Sequence, residues 1–254
     1  MTTHTLRFAA HDVARMRYDF ATLFFSIALP VFFYFIFGAA QDYGNEMMAG
    51  GNVAGYVMIG MALFAGVTGA VGAAGSTVVE HRTGWGRQLA LTPLTNGQIQ
   101  FAALLNILIR AVLPIAAVFI AGALSGVQIQ GIDWLTSLLL TLLCSVPFGF
   151  YGLLWAQLIP SENSVAIASS SVVVLAFLGN VFVPLSGTML DVGRFSPLYG
   201  MQMISRWPIA EGAYPLGMDF GTDPLWPAIA NIAVWTTLIV GSSMLLRGRQ
   251  KARA

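Results

Sequence analysis

Charge is what this chain has least of. Only 9% of its 254 residues are charged and 57% are hydrophobic, whereas a soluble domain carries about 25% charged residues. Uncharged runs recur along the chain at 20–41, 47–79, 111–132, 134–161, 163–190 and 224–246. Each is long enough for a helix to cross the roughly 30 Å hydrocarbon core of a bilayer. Because lipid cannot satisfy open backbone groups, the composition predicts an all-α membrane protein.

Residues that carry common catalytic chemistry are also scarce. The single lysine, Lys251, lies near the C-terminus, so no P-loop of the form G-x-x-x-x-G-K-[ST] can bind ATP in this chain. Three histidines, His4, His11 and His81, stand at no metal-ligand spacing to another histidine or to Cys144. The motifs G-x-S-x-G and H-E-x-x-H are absent as well. We therefore expect the chain itself not to be an enzyme, and to hold no metal or cofactor.

Six spans are predicted from the uncharged runs and their polar borders: 21–40, 53–77, 98–123, 134–159, 165–187 and 225–246. An even number of spans places both termini on one side. Nine of the 12 lysines and arginines belong to that side, whereas Arg194 and Arg206 belong to the other. The positive-inside rule therefore predicts a multi-pass protein of the inner (plasma) membrane with both termini cytoplasmic.

The predicted spans contain no aspartate or glutamate, although intramembrane acids are typical of proton- or sodium-coupled carriers. An ion-coupled carrier and a membrane-embedded enzyme are disfavoured for this reason. Arg110, in the third span, is the one interior charge. Its charge could be compensated by backbone carbonyls loosened at Pro114 or Pro147, by snorkelling, or by Glu80 if the third span tilts strongly. It could instead contact a polar or anionic substrate. Net charge is +1, which gives no reason to expect nucleic acid as a partner.

Two further segments flank these spans. Before the first span, apolar residues recur every three or four positions, which predicts an amphipathic helix at about 4–19 lying in the cytoplasmic interface. The connection at 188–224 is long and rich in proline, and its periodicity predicts a short helix in an outer hairpin that re-enters the outer interface. In the second span, Ala62, Gly66, Ala70 and Ala74 recur at a spacing of four. Such a ridge favours close helix packing, either within the chain or at a gate or dimer contact.

The stretch EHRTGWGRQLALTP, at 80–93, is the most polar part between two spans. Thr83 can cap a short helix that Pro93 ends, which predicts a cytoplasmic helix at 82–93. Trp85 and Leu89 would share one face of it and form an apolar knob between arginines. The stretch could simply connect two spans, or it could insert into a partner. A chain without its own source of energy favours the second interpretation.

These features resemble the permease subunit of the ABC-2 type transporter family, in a drug- or antibiotic-exporter-like form. That family places an E-x-x-x-G-[ST]-like turn and then L-x-x-x-P-[LM] after the second of six spans. The corresponding residues here are Glu80, Gly84, Leu89, Thr92, Pro93 and Leu94, with Gly84 and Gly86 in place of the usual Gly-Thr pair. Two further similarities are LIPSENSVAIASS at 158–170 and VFVPLSGTMLDVGRFSPLYGMQMI at 181–204. Together they cover nearly the whole chain as one transmembrane domain, 1–254.

The resemblance implies a coupling helix between the second and third spans, gripped by a separate cytoplasmic ABC ATPase that binds ATP and Mg²⁺. The residues implied in coupling are Glu80, Arg82, Gly84, Trp85, Arg87, Leu89, Thr92, Pro93 and Leu94. It also implies a second permease copy, with a homodimer favoured over a heterodimer, in contact with membrane lipid.

By the same resemblance, a translocation pathway follows the inward faces of the first, second and fifth spans. Candidate pathway residues are Phe64, Arg110, Phe177, Asn180 and Phe182. Asn180 is a polar residue within a predicted span, which favours a hydrogen bond to a neighbouring helix over contact with a substrate. The function implied is ATP-driven export of hydrophobic or amphiphilic compounds, such as drugs or antibiotics, from the cytoplasm or inner leaflet. The alternative within the family is export of a lipid or a lipid-linked glycan.

Overall fold

The computed structural model describes residues 20–80, 96–159, 161, 163–216 and 219–251. These residues are mostly helical, with one small hairpin of strands. The helices are α1 (Phe20–Tyr34), α2 (Val53–Glu80), α3 (Asn96–Leu124), α4 (Asp133–Leu158), α5 (Asn163–Leu178), α6 (Gly187–Gly193), α7 (Pro197–Ala210) and α8 (Leu225–Lys251). The predicted interfacial helix at 4–19 and the predicted coupling helix at 82–93 lie outside the described residues.

Four helices contain segments long and apolar enough to cross a membrane: Val53–Ala73, Leu105–Leu124, Asp133–Leu158 and Leu225–Leu246. They coincide with the second, third, fourth and sixth predicted spans, which supports a membrane protein. The first and fifth predicted spans correspond to shorter apolar helical segments, Ser26–Ala39 and Asn163–Leu178. Six membrane crossings therefore remain a prediction.

Helix α2 is the centre of the bundle. Within its membrane-length segment 89% of the residues are buried by the rest of the protein, against 11% for α8. It contacts α1, α3, α4, α5 and α7. Glycine and alanine on α2 allow this, because small side chains let helix backbones approach closely in lipid. The ridge residues Ala62 and Ala70 are fully buried, so this part of the predicted ridge packs within the chain.

Along α2, the closest approach to the backbone of another helix is at Gly69. A β-carbon built at Gly69 would lie 2.3 Å from the backbone oxygen of Arg110 on α3. A backbone atom inside a helix cannot rotate away from such a contact. The sequence pattern indicated a small-residue surface on α2, and the structure identifies α3 as the element that uses Gly69.

We expect Gly69→Ala to lower the free energy of unfolding by about 2 kcal/mol, because the added methyl group forces α2 and α3 apart. The measurement is the midpoint of thermal unfolding in detergent, followed by size-exclusion chromatography. Gly241→Ala is the matched control, since Gly241 is in α8 and a β-carbon there meets nothing within 4 Å. That control should be neutral or slightly stabilising, because alanine favours helix over glycine. Equal stability of the two variants would contradict the close packing of α2 on α3.

Helix α5 is shorter than the span predicted for it at 165–187. It ends at Leu178 and is followed by Gly179 and by Asn180, which has a left-handed backbone (φ 60°). Helices commonly end on such a residue, and Asn is one of the few side chains that tolerate it. Pro184 follows four residues later and is typical of chain that does not continue a helix. The chain from 179 to 186 is therefore a break in the fifth predicted span.

The predicted outer hairpin at 188–224 contains α6, α7 and a two-stranded antiparallel sheet. The strands are β1 (Ala213–Leu216) and β2 (Asp219–Thr222), in a register that pairs Ala213 with Thr222. This sheet was not predicted. The short helix was predicted from its apolar periodicity, and α7 begins with Pro197 after Ser196, as helices often do. Most of α7 is buried, and it packs against α2, α4, α5 and α8.

Three connections that the sequence assigns to one side of the membrane contact each other. The Gly50 amide donates to the carbonyl of Ile209 at 2.8 Å, and the Gln130 amide donates to the carbonyl of Gly50 at 3.3 Å. The side-chain oxygen of Asn52 accepts the amides of Gly55 at 3.0 Å and Gln128 at 3.2 Å. These bonds tie the start of α2, the loop after α3 and the end of α7 into one cap at this end of the bundle.

Candidate functional site

The break after α5 brings together three of the five predicted pathway residues. Phe64 comes from the middle of α2, Phe177 from the last turn of α5, and Phe182 from the break itself. The ring of Phe182 lies 4.8 Å from the ring of Phe64 and 4.8 Å from that of Phe177, measured between centroids, in edge-to-face geometry. Such pairs contribute about 0.5–1.5 kcal/mol each.

A fourth ring, Phe33 of α1, completes this group, which we call the aromatic cluster: Phe33, Phe64, Phe177 and Phe182. The rings of Phe33 and Phe182 are 5.8 Å apart and nearly perpendicular. Phe182 is therefore the central member, and it is 5% exposed, whereas Phe177 is 53% exposed. The cluster joins α1, α2 and α5 at one point, and Phe177 leaves one edge of it open. Phe33 was not predicted, because α1 is rich in phenylalanine and its sequence does not single out one ring.

Asn180 is buried beside the aromatic cluster, and its side chain is used within the break. Its amide oxygen accepts the backbone N–H of Leu185 at 2.8 Å. The sequence predicted a hydrogen bond to a neighbouring helix, but the partner is the chain five residues further on. Asn180 thus shapes the loop at 179–186 that carries Phe182.

Arg110 is held on its own helix rather than in the aromatic cluster. Its Nε donates to the side-chain oxygen of Asn106, one turn earlier on α3, at 3.2 Å. Asn106 is buried and Arg110 is half-buried. This hydrogen bond offsets part of the cost of holding a cation within the membrane. Asn106 was not among the partners considered from the sequence.

Arg206 of α7 is the residue that sequence reasoning missed. It was counted only as one of two outer cations, yet it is 2% exposed and lies against the break. Its guanidinium stacks 3.9 Å above the ring of Tyr56 on α2. The signal available in the sequence was a lone cation inside a predicted apolar helix, which is as unusual as Arg110 in the third span.

A polar network holds the predicted outer hairpin against the start of α8. Arg194 donates to both carboxylate oxygens of Asp223, at 2.6 and 3.3 Å, and to Asp191 at 2.7 Å. The hydroxyl of Tyr199 donates to the same Asp223 carboxylate. The hydrogen bond with Asp223 raises the pKa of the Arg194 guanidinium above its ordinary value. Arg194 is therefore a permanent cation that links α6 to the start of α8.

A small cavity lies between this network and Arg206. Its lining includes Tyr56, Tyr199, Tyr214 and Asp223. The cavity has room for about one water molecule. The cavity is thus too small for an organic substrate, and the aromatic cluster is the better candidate for contact with one.

Of the residues implied in ATPase coupling, only the first one is among the described residues. Glu80 is the last residue of α2. The other eight, from Arg82 to Leu94, lie outside the described residues. No family model matches the chain, and no curated protein matches it. The resemblance to ABC-2 permeases therefore stays a prediction from the sequence motifs, and the candidate site depends on the geometry of the aromatic cluster.

Proposed function

We propose that this chain is the transmembrane permease subunit of an ATP-driven ABC exporter that moves hydrophobic or amphiphilic compounds out of the cytoplasm or inner leaflet. The observation that carries the proposal is the aromatic cluster, four phenylalanine rings gathered at a helix break inside an apolar bundle. Aromatic and apolar side chains line most small-molecule sites, with few polar groups. The predicted spans carry no carboxylate for ion coupling, so the energy for export comes from a partner.

In this proposal the chain crosses the inner membrane six times with both termini in the cytoplasm. The three connections that meet in one cap are then all outer, and α7 is the helix of an outer hairpin that re-enters the membrane interface. Its 14 residues extend about 21 Å, which is less than the membrane thickness. Its burial among other helices supports this placement, because the unpaired backbone groups at the ends of a short helix within the membrane must be covered by protein.

The proposal requires a cytoplasmic ABC ATPase that grips the segment at 82–94, with ATP and Mg²⁺ bound to that partner. It also requires a second permease copy, and we favour a homodimer. Export would proceed as ATP binding moves the gripped segment, and with it the ends of α2 and α3. The substrate contacts the aromatic cluster, where Phe177 leaves an edge exposed.

The test is purification of the tagged chain from its native membrane in mild detergent. We expect an ATPase subunit to copurify and to hydrolyse Mg-ATP, with activity that changes when toxic amphiphiles are added. A lone chain that is fully active in efflux from proteoliposomes would overturn the proposal. So would labelling from outside the cell of a cysteine introduced by Gln88→Cys, which tests the predicted side directly.

A further inference from the structure

Arg206 is a buried cation that no carboxylate neutralises through a described contact. Its Nε donates to the carbonyl of Tyr56 at 2.9 Å. Its two terminal nitrogens donate to the carbonyls of Asn180 at 3.0 Å and Val181 at 2.9 Å. A fourth bond goes to the side-chain oxygen of Gln202, one turn earlier on α7. Three backbone carbonyls from two other elements thus hold one guanidinium.

The carbonyls of Asn180 and Val181 need these donors. Both residues lie in the break after α5, outside the hydrogen-bond ladder of any described helix or strand, so these buried carbonyls need donors from elsewhere. The C-terminal end of a helix also carries partial negative charge, which a cation stabilises. Burial away from water makes an unpaired carbonyl costly. Arg206 therefore supplies donors to two carbonyls of the break, and in return its own charge is compensated.

The seat for Arg206 on α2 requires a glycine. A β-carbon at Gly60 would lie 1.9 Å from a terminal nitrogen of Arg206 and 2.9 Å from the carbonyl oxygen of Val181. Gly60 therefore lets the guanidinium and the break after α5 lie directly on α2. The ring of Tyr56, one turn earlier, covers the guanidinium face.

A substrate anion is not the partner of this arginine. A guanidinium has five N–H donors, and four hydrogen bonds already occupy the group. With Tyr56 over one face, there is no room for the two-pronged binding that arginine offers a carboxylate or phosphate. The group acts on the protein's own backbone.

We infer that Arg206 is a positioning residue of the aromatic cluster: it holds the break after α5 on α2 so that Phe182 completes the cluster. Val181 and Asn180 immediately precede Phe182, so fixing their carbonyls fixes the direction of the Phe182 ring. Because Arg206 belongs to α7, the outer hairpin and the aromatic cluster move as one unit. The role in a translocation pathway rests on the proposed function, whereas the mechanical link does not.

The test measures the accessibility of the break. In a Cys144→Ala background, Val181→Cys introduces a thiol at a residue that is 2% exposed, and Val172→Cys introduces one at a fully buried position earlier in α5. The rate of reaction with a membrane-impermeant maleimide is measured for each, in membranes, with Arg206 intact and with Arg206→Gln. We expect Arg206→Gln to raise the rate at position 181 about tenfold or more, the effect of losing charge-assisted hydrogen bonds on local opening. The rate at position 172 should stay the same.

Arg194→Gln is the matched control, because it removes another arginine of the same hairpin that bonds Asp191 and Asp223 instead of the break. It should leave the rate at position 181 unchanged. Arg206→Lys keeps the charge but not the fork of donors, so we expect partial rescue, with a rate between those of Arg206 and Arg206→Gln. If Arg206→Gln yields no folded protein, Arg206→Lys against the parent is the deciding comparison.

Equal rates at position 181 with and without Arg206 would overturn the inference. So would equal increases at positions 181 and 172, since these would show general loosening. The labelling needs neither ATPase nor substrate, so its outcome is independent of the copurification test. A failed copurification with a positive labelling result would leave Arg206 as the link between α7 and the aromatic cluster and would remove only the pathway.

Discussion

Replacing Phe182 by alanine is expected to lower the free energy of unfolding by about 2–4 kcal/mol and to impair export. Its ring contacts three others, at 4.8, 4.8 and 5.8 Å, and each such pair contributes about 0.5–1.5 kcal/mol. We base the estimate on these contacts, because helix association in lipid gains little from the hydrophobic effect. The measurements are the thermal unfolding midpoint in detergent and efflux of toxic amphiphiles from cells.

Phe195→Ala is the matched control for this prediction. Phe195 is 79% exposed, so its removal leaves no cavity and should change stability by less than about 0.5 kcal/mol. Phe182→Leu, which keeps much of the volume without a ring, should be intermediate in stability. Wild-type efflux from a folded Phe182→Ala variant would contradict a role for the aromatic cluster in the pathway.

In the proposed exporter, the double variant Trp85→Ala, Leu89→Ala is expected to abolish ATP-driven export while the chain still folds and inserts. The sequence places these two side chains on one face of a predicted helix, as the apolar knob that the ATPase would grip. Hot spots at protein interfaces are enriched in tryptophan and cost about 2 kcal/mol or more on truncation. A loss of about 2 kcal/mol of binding free energy would weaken the affinity for the ATPase about thirtyfold.

The measurement is copurified ATPase activity together with export, both compared with Ala90→Ser. Ala90 would lie on a different face of the same predicted helix, so that control should retain coupling. Normal export by the double variant would remove the coupling role from this segment. A loss of the permease itself from the membrane would show that Trp85 and Leu89 serve folding, which is the contrary result for this prediction.

Much of the helical layout follows from hydropathy. Four helices, α2, α3, α4 and α8, coincide with the spans predicted at 53–77, 98–123, 134–159 and 225–246. The reason is that a long uncharged segment in lipid must satisfy its own backbone hydrogen bonds, which a helix does. Helix ends differ by a few residues, since periodic patterns fade where the chain leaves the bundle. The fifth span was predicted to be continuous, yet it breaks at Gly179 and Asn180. Neither residue is decisive in sequence, because glycine is frequent in membrane helices.

Phe64, Phe177 and Phe182 were predicted from the sequence as pathway residues, and the structure shows that the ring of Phe182 contacts the other two. Their role in a pathway stays a prediction. Phe33 could not be added, because its partner is 149 positions away in the chain (182 minus 33). The same limit hid Arg206, whose bonds reach from α7 back to Tyr56 on α2. Such pairings depend on which helices become neighbours, and no local pattern encodes that choice.

By itself, the sequence determined that this protein is helical, belongs in a membrane, and lacks both a P-loop and intramembrane acids. These conclusions follow from composition and spacing, which act locally along the chain. Only the tertiary structure decided that α2 is the central helix and that the break after α5 carries Phe182, the central ring of the aromatic cluster. It also decided that Arg206 of α7 holds that break in place. The physical reason is that a buried cation and the backbone carbonyls of the break come together only after the helices have packed.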